Sequence, residues 1–174
     1  ESFFDGSWEL FESAGEVEFG NTLFIAEQNK GLIVDWKLEK EKTAGDPKLL
    51  QESIERQKNI FGQYPGSVGA DRGFSFKTMK DYLNERKIYN AICPKSPKLL
   101  KEQIQKVKFR KLQKRRAQTE ARIGIIKNNF LGGLLRNKGF KSRETAVGWA
   151  IFAHNLWLLS GLPEAEEKIR KKAA

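Results

Sequence analysis

The sequence predicts an α/β protein in which a mixed β-sheet carries helices on its faces. Two β-rich runs, residues 17–27 and 32–39, follow each other closely, and helices and short strands then alternate along the chain. Strand runs followed by alternating helices and strands are typical of such a sheet. With 174 residues, of which 39% are hydrophobic, the chain is long enough for one domain with a proper core and short for two.

The two β-rich runs predict a hairpin, because they flank Asn29-Lys30-Gly31, residue types that favour a tight turn between antiparallel strands. The second run alternates as a half-buried strand should, and its two sets of side chains are Ile33, Asp35 and Lys37 against Val34, Trp36 and Leu38. Residues 1–16 are interpreted either as a strand end with a turn or as a ragged terminus.

The middle of the chain predicts two helices that alternate with two short strands. Asp46 and Pro47 indicate a helix start, since aspartate accepts hydrogen bonds at the N-cap and proline is tolerated at the first helical position. Gly62 ends this helix. A short strand is expected at residues 68–71, a helix at about 75–86 and another strand at 88–93.

The C-terminal half predicts long helices. Residues 98–129 form a helical stretch, broken once at most, whose apolar stripe is Leu112, Ala117 or Thr119, Ile123, Ile126 and Lys127. A last helix begins near Ser142. Its apolar segment, residues 146–159, is shorter than the roughly 20 residues of a membrane span, so we expect a buried helix of a soluble protein. Residues 163–174 are expected to form a charged, frayed tail.

Positive charge is concentrated in one block. The net charge of the chain is +10, and residues 95–143 contain 16 lysines and arginines against two acids, Glu102 and Glu120. The remainder of the chain is therefore net negative. A basic block of this kind indicates a polyanionic partner such as nucleic acid, and the alternative is a solvated basic helix without a partner.

Cysteine and histidine content excludes several classes of site. The single cysteine, Cys93, rules out an internal disulfide and fits a reducing, cytoplasmic location. The single histidine, His154, argues against a histidine-ligated zinc site or a Ser-His-Asp triad. No signal peptide is recognisable. Cys93, His154 and Asn155 are therefore expected to be structural.

Two carboxylates stand in opposite surroundings. Asp71 follows a short apolar strand and precedes a glycine-containing turn, whereas Glu120 lies within the basic helical stretch. An acid at a strand end and an acid on a later helix are able to share metal ions beside a phosphodiester. The alternative interpretations are structural: Asp71 as an Asx-turn residue, and Glu120 as the partner of Arg116 one turn earlier.

Four motifs in order resemble the DDE transposases of bacterial insertion sequences. They are residues 15–20 (GEVEFG), 70–74 (ADRGF), 119–127 (TEARIGIIK) and 148–156 (GWAIFAHNL). Each motif is short, but four in order with a basic block between the acids are more specific. The resemblance covers residues 15–162 and implies an RNase H-like fold, with a mixed sheet flanked by helices and further helices at the C-terminus.

The resemblance also implies a catalytic site. Asp71 matches the second acid of the family and Glu120 the third, and both would bind Mg²⁺ or Mn²⁺ for DNA cleavage and strand transfer. Basic residues on or beside the Glu120 helix would contact DNA phosphates: Lys111, Lys114, Arg115, Arg116, Arg122 and Lys127. The partner would be DNA, with no membrane, and the family implies a homo-oligomer on paired element ends.

The first acid of the family leaves alternatives open. Asp5, after Phe3-Phe4, is either that acid on a shortened opening strand or an incidental turn residue. In the second case the opening strand and its acid lie upstream, and the domain at residues 1–162 lacks a central strand. The rival functions are a noncatalytic nucleic-acid-binding module or relic of the same fold, and an RNase H-like metal nuclease.

Overall fold

The computed structural model describes residues 9–17, 21–28, 30–40, 47–132 and 138–173, without the side chains of residues 9–17, 120 and 162–173. The chain divides into two compact units, Glu1–Ile123 and Gly124–Ala174, and each is described separately. Asp5 and Asp46 lie outside the described residues, so the role of Asp5 and the N-cap predicted for Asp46 stay predictions.

The first unit is built on a five-stranded mixed sheet in the order β3-β2-β1-β4-β5. The strands are β1 (Glu9–Val17), β2 (Asn21–Glu27), β3 (Ile33–Glu39), β4 (Ser67–Gly69) and β5 (Tyr89–Asn90). β1 pairs antiparallel with β2 and parallel with β4. The β2–β3 and β4–β5 pairs are antiparallel and parallel respectively. The predicted hairpin is therefore present as β2 and β3, within a mixed sheet.

A strand that precedes this hairpin lies at the centre of the sheet. Val17, assigned from the sequence to the strand that follows, ends β1 and pairs with Asn21 across the β1–β2 connection. At its other end β1 pairs Glu9 with Ser67. The sequence left residues 1–16 open because the local pattern is weak there and because β4, one of the two partners of β1, is distant in the chain. Hydrogen bonding to β2 and β4 defines β1 as a strand, which the local sequence pattern alone does not predict.

Four helices of this unit follow the predicted order. They are α1 (Pro47–Phe61), α2 (Lys77–Glu85), α3 (Pro97–Ile104) and α4 (Val107–Ile125). Gly62 follows α1 with φ +75°, a left-handed conformation that suits glycine at a helix end. The long helical stretch is broken once, between α3 and α4, as predicted.

One face of the sheet packs against α1 and α2. Phe24 and Ala26 of β2 point to this face together with Val68 and Ala70 of the β4 segment. The helical residues in the same buried cluster are Leu49, Leu50 and Ile54 from α1 and Met79 and Leu83 from α2. Phe74 meets Phe24 edge to face, with ring centroids 6.3 Å apart. Close packing of this cluster fixes α1 and α2 on the sheet.

The alternation predicted for β3 is interrupted by a β-bulge. Leu38 pairs with Leu23 and Trp36 with Ile25, but a shift between Ala26 and Glu27 then pairs Glu27 with Ile33. The extra residue changes the parity of the strand. Ile33, which the sequence pattern grouped with Asp35 and Lys37, therefore lies on the face of Trp36 and Leu38 and is 5% exposed.

The second unit contains a π-helical turn (Ile126–Phe130) and the helix α5 (Phe140–Ala173). The Phe130 ring lies 5.6 Å from His154 and 6.2 Å from Trp157. His154 is fully buried and lies near Asn155, with 3.3 Å between Nδ1 and Oδ1, as expected of a structural residue.

Two expectations for the last helix are wrong. Its segment 146–159 is not buried all round, because only one side is covered: Val147, Ala150 and Ile151 are buried, whereas Trp149, Phe152 and Trp157 are more than half exposed. The backbone is also helical through residue 163 to Ala173, where the sequence predicted a frayed tail.

A polar cluster links α1 to α2 and offers a test of the packing. Glu55 accepts hydrogen bonds from the hydroxyls of Tyr82 at 2.7 Å and Tyr64 at 3.1 Å, and from Arg86 Nε at 3.2 Å. The Arg86 guanidinium lies over the Tyr82 ring, 3.7 Å from its centroid. These donors, the Tyr82 hydroxyl foremost, lower the pKa of the Glu55 carboxyl below its ordinary value.

We predict that Glu55→Gln destabilises the fold by about 1 kcal/mol at neutral pH. Because the folded pKa is lowered, the stabilisation by the carboxylate is present above the unfolded pKa and lost as pH falls through the folded pKa. The difference in melting temperature between wild type and variant should therefore shrink below about pH 4. Calorimetry from neutral pH to below about pH 4 measures this difference in melting temperature. A difference that does not change with pH would contradict the prediction.

Candidate catalytic edge of the sheet

Asp71 lies just beyond the carboxyl end of β4. Its Oδ1 accepts a hydrogen bond from the Gly73 N–H at 2.7 Å, so the side chain caps the single 3₁₀ turn Arg72–Phe74. The structural interpretation of Asp71 as a turn residue is therefore confirmed. The same bond orients a half-buried carboxylate at the end of a strand that runs parallel to the central strand β1. A turn role and a ligand role are compatible here, since a carboxylate has two oxygens.

Gln113 attaches α4 to this edge of the sheet. Its amide Nε2 donates to the backbone carbonyl of Ala91 and, at 3.4 Å, to that of Ala70, the residue before Asp71. Phe109 and Leu112 are buried in one cluster with Ala91. The first half of α4 therefore crosses the carboxyl ends of β4 and β5, beside Asp71.

A second attachment joins the later part of α4 to β2. Arg122 Nε donates to Glu27 Oε2 at 2.5 Å, and the Glu27 side chain is fully buried while that of Arg122 is 13% exposed. Arg115 adds a weaker contact, from Nη2 to the Gln28 carbonyl at 3.4 Å. Burial raises the pKa of the Glu27 carboxyl, and the positive charge of Arg122 opposes this rise.

Gly31 makes room for the Arg122 side chain. A Cβ atom at this position would clash with the Arg122 guanidinium, and the residue also has φ +85°. The left-handed backbone favours glycine in the β2–β3 turn, and the absence of a Cβ atom leaves the Arg122 guanidinium in place beside Glu27. The turn sequence is thus matched to the ion pair as well as to the hairpin.

Glu120 lies on α4 between these two attachments. Residue 120 is two turns of helix beyond Gln113 and therefore on the same side of the helix. Its side chain, like the whole of Asp5, is outside the described residues. Within the described part of the chain, no three His, Cys, Asp or Glu side chains are close enough to hold a metal ion. The pairing of Asp71 with Glu120 accordingly stays a prediction.

Five of the six predicted DNA contacts are exposed or half-buried. Lys111 and Lys114 are exposed on α4, and Lys111 borders a groove of about 580 Å³ with Lys108 and Arg115. Arg115 and Arg116 are half-buried, and Lys127 is half-buried on the π-helical turn of the second unit.

Arg122 differs from the surface role predicted for it. It is mostly buried and engaged with Glu27, so it attaches α4 to the sheet instead of facing a ligand. Thr119, and not Ala117, belongs to the buried stripe of this helix.

Sequence reasoning missed Glu27 and Gln113. The one available signal was an acid directly after the apolar run Leu23-Phe24-Ile25-Ala26, where a buried carboxylate needs a cationic partner. Nothing in the pattern identified that partner, because Arg122 is 95 residues away.

The fold of the chain matches that of retroviral integrase catalytic cores. The trimeric form of the HTLV-2 integrase catalytic core domain in complex with magnesium gives a TM-score of 0.53 at 12% identity, covering 87% of this chain and 86% of that one. The dimeric form of the same domain gives a TM-score of 0.51 at 13% identity, covering 83% of this chain and 82% of that one. The BIV integrase catalytic core domain gives a TM-score of 0.50 at 12% identity, covering 84% of this chain and 82% of that one.

These matches confirm the predicted RNase H-like α/β fold, and at such low identity they establish the fold alone. No protein-family model and no curated protein matches the sequence. Among the helices that the structure describes, none combines the length and the apolar character that a membrane crossing needs.

We predict that Arg122→Met destabilises the protein by about 3–5 kcal/mol, because it leaves the buried Glu27 carboxylate without its cation. Adding Glu27→Gln should recover a large part of the loss. In the single variant the folded pKa of Glu27 rises further above its unfolded value. The variant should therefore be most stable below the unfolded pKa and lose stability as pH rises through the folded pKa.

Chemical denaturation at several pH values measures these effects. Arg110→Met, which removes an exposed arginine from the same helix, is the matched control and should change stability by less than about 0.5 kcal/mol. Equal losses for the two arginine variants would contradict the role assigned to the Glu27–Arg122 pair.

Proposed function

We propose that this chain is the catalytic domain of a DDE transposase of a bacterial insertion sequence, which cleaves DNA and transfers a strand in the cytoplasm. The observation that carries the proposal is the position of Asp71. It follows β4 at the carboxyl end of the parallel strands, and α4, the helix that carries Glu120, is bonded to the neighbouring residue Ala70. The four ordered motifs of the sequence make the proposal specific to transposases.

The two acids have the chemistry of hard-metal ligands. Mg²⁺ binds through one or two carboxylates together with phosphate oxygens, and Asp71 offers a half-buried carboxylate whose orientation is set by Gly73. In this proposal Asp71 and Glu120 would hold the metal, with a first acid drawn from outside the described residues. The HTLV-2 integrase core that shares the fold was solved in complex with magnesium, which supports the same choice of metal here.

Strand transfer joins a DNA 3′-hydroxyl to phosphorus as the bond from phosphorus to the leaving oxygen breaks. The bound metal would supply activation of the attacking oxygen and stabilisation of the leaving oxygen. The residues of the chain would position the reactants. Gly73 fixes the Asp71 carboxylate, and the exposed Lys111 and Lys114 would hold the phosphate backbone in register.

The proposed function includes assembly into a homo-oligomer. The HTLV-2 integrase core is described in dimeric and trimeric forms. We infer that this chain likewise forms a homo-oligomer on paired element ends, which would bring two such domains to one synapse, and the dimeric and trimeric forms of the integrase core support this inference.

A noncatalytic DNA-binding module of the same fold is the second candidate. The observation that favours it is the exposure of Lys111 and Lys114 on α4, because contacts from these side chains to DNA phosphates need no metal. A binder would depend on the basic residues of α4 alone. The two candidates differ in whether Asp71 and Glu120 matter for anything other than DNA affinity.

We predict that Asp71→Asn and Glu120→Gln each reduce Mg²⁺-dependent strand transfer by at least about a hundredfold, because each removes a metal ligand. Duplex binding without metal should be unchanged. A strand-transfer assay with pre-cleaved element ends measures the first effect, and fluorescence anisotropy the second. Asp81→Asn, on the exposed side of α2, is the matched control. Full activity of either variant would refute the catalytic assignment.

We also predict that Lys111→Gln and Lys114→Gln together weaken duplex binding equally for all sequences. Each lost phosphate contact should reduce the slope of log K against log salt by about 0.9. Lys48→Gln, which removes an exposed charge from α1, is the control. An unchanged salt slope would mean that this side of α4 does not contact DNA. Arg115 is not a useful target, because it also bonds the Gln28 carbonyl.

A further inference from the structure

A second groove opens at the β5 edge of the sheet, between α2, β5 and α3. Its volume is about 520 Å³, within the range of pockets that hold small organic ligands. All of its described lining residues belong to the first unit. The basic side of α4 that carries Lys111 and Lys114 does not contribute to this lining.

The charged side chains among the described lining residues of this groove are all cationic. Lys77, Lys80 and Lys106 line it and are exposed. No acidic side chain is among its described lining residues. Such a surface is complementary to an anion, and three lysines spread along a groove suit a chain of phosphates better than a single charge.

Two aromatic rings in the lining of the groove, Phe76 and Tyr89, are each paired with a lysine. Phe76 is 41% exposed, and the Lys95 ammonium lies 3.8 Å from its ring centroid. Lys108 lies 4.5 Å from the centroid of Tyr89, which is half-buried. The Lys95 ammonium lies over one face of the Phe76 ring, so a base that stacks on the rest of this exposed ring has a cation for its phosphate at the same point, a combination that suits single-stranded nucleic acid.

Three amide side chains also line the groove. Asn84 and Asn90 come from α2 and β5, and Gln103 comes from α3. Amides donate and accept hydrogen bonds, as do the edges of unpaired bases. A groove for an acidic peptide would need the lysines but not this combination of rings and amides.

The groove adjoins the candidate catalytic edge. Asp71, the 3₁₀ turn Arg72–Phe74 and then Ser75 and Phe76 follow one another directly, and the last two line the groove. On the β5 side it is lined by Ile92 and Pro94, just past the end of that strand. A DNA strand with a phosphate at Asp71 therefore has this groove within reach of its next nucleotides.

We propose that the α2–β5–α3 groove binds unpaired nucleotides of the DNA strand next to the phosphate held at Asp71, with a base stacked on Phe76 and phosphates at Lys77, Lys80 and Lys106. The DNA strand as ligand rests on the proposed function. Binding of single strands by the groove requires no catalysis and is measured without metal.

The test uses the full chain in EDTA, with a fluorescein-labelled oligothymidylate and a matched duplex as probes. Phe76→Ala and Lys80→Gln should each weaken oligothymidylate binding, Phe76→Ala by about tenfold, the loss of one stacked base. Neither should change duplex binding. When one thymine of the oligothymidylate is replaced by 2-aminopurine, the fluorescence of that base should change on binding to wild type and much less on binding to Phe76→Ala. Lys48→Gln is the charge-matched control, and circular dichroism verifies folding.

Three results would overturn the proposal. They are unchanged oligothymidylate binding by both variants, an equal loss for duplex and single strand, and competition by polyglutamate as effective as that by oligothymidylate. The last result would identify an acidic-peptide site. If strand transfer were absent but the predicted losses were seen, the groove assignment would stand and the catalytic proposal would fail, so the two failures are distinguishable.

Discussion

The attachment of α4 across the sheet is the constraint on which the site depends. Gln113 bonds the ends of β4 and β5, and Arg122 pairs with Glu27 at the end of β2. Residue 120 lies between these points, on a helix that cannot slide or rotate without breaking one of them. The position of the proposed metal site thus depends on polar contacts made by residues that are not themselves proposed as metal ligands.

Holding the helix with the buried Glu27–Arg122 pair carries a large desolvation penalty. Removing a carboxylate from water costs several kcal/mol, and its attraction to one guanidinium repays this only with good geometry. Apolar residues of the same volume would hold α4 about as strongly. The direction of a hydrogen-bonded ion pair, unlike apolar contact, fixes both the rotation and the register of the helix, and Gly31 leaves the guanidinium the space it needs.

Local features of the sequence were enough to predict most of the fold. The β2–β3 hairpin, the start of α1 at Pro47 and the break between α3 and α4 follow from turn residues, proline and periodicity. The strand β1 was not assigned, because its partners are β2 and β4 and its own pattern is weak. The bulge at Ala26 and Glu27 and the partner of Glu27 depend on contacts between distant segments. Asp71 was identified from its place after a strand, and its capping bond shows why a turn residue stands there.

The central claim is that α4 brings Glu120 to the same metal as Asp71. A crystal structure with Mn²⁺, in which anomalous scattering locates the ion, tests it most directly. The account predicts a Mn²⁺ ion bound by the carboxylates of both Asp71 and Glu120 at the carboxyl end of β4. Two carboxylates too far apart to bind one ion, with Mn²⁺ elsewhere or not bound, would contradict it.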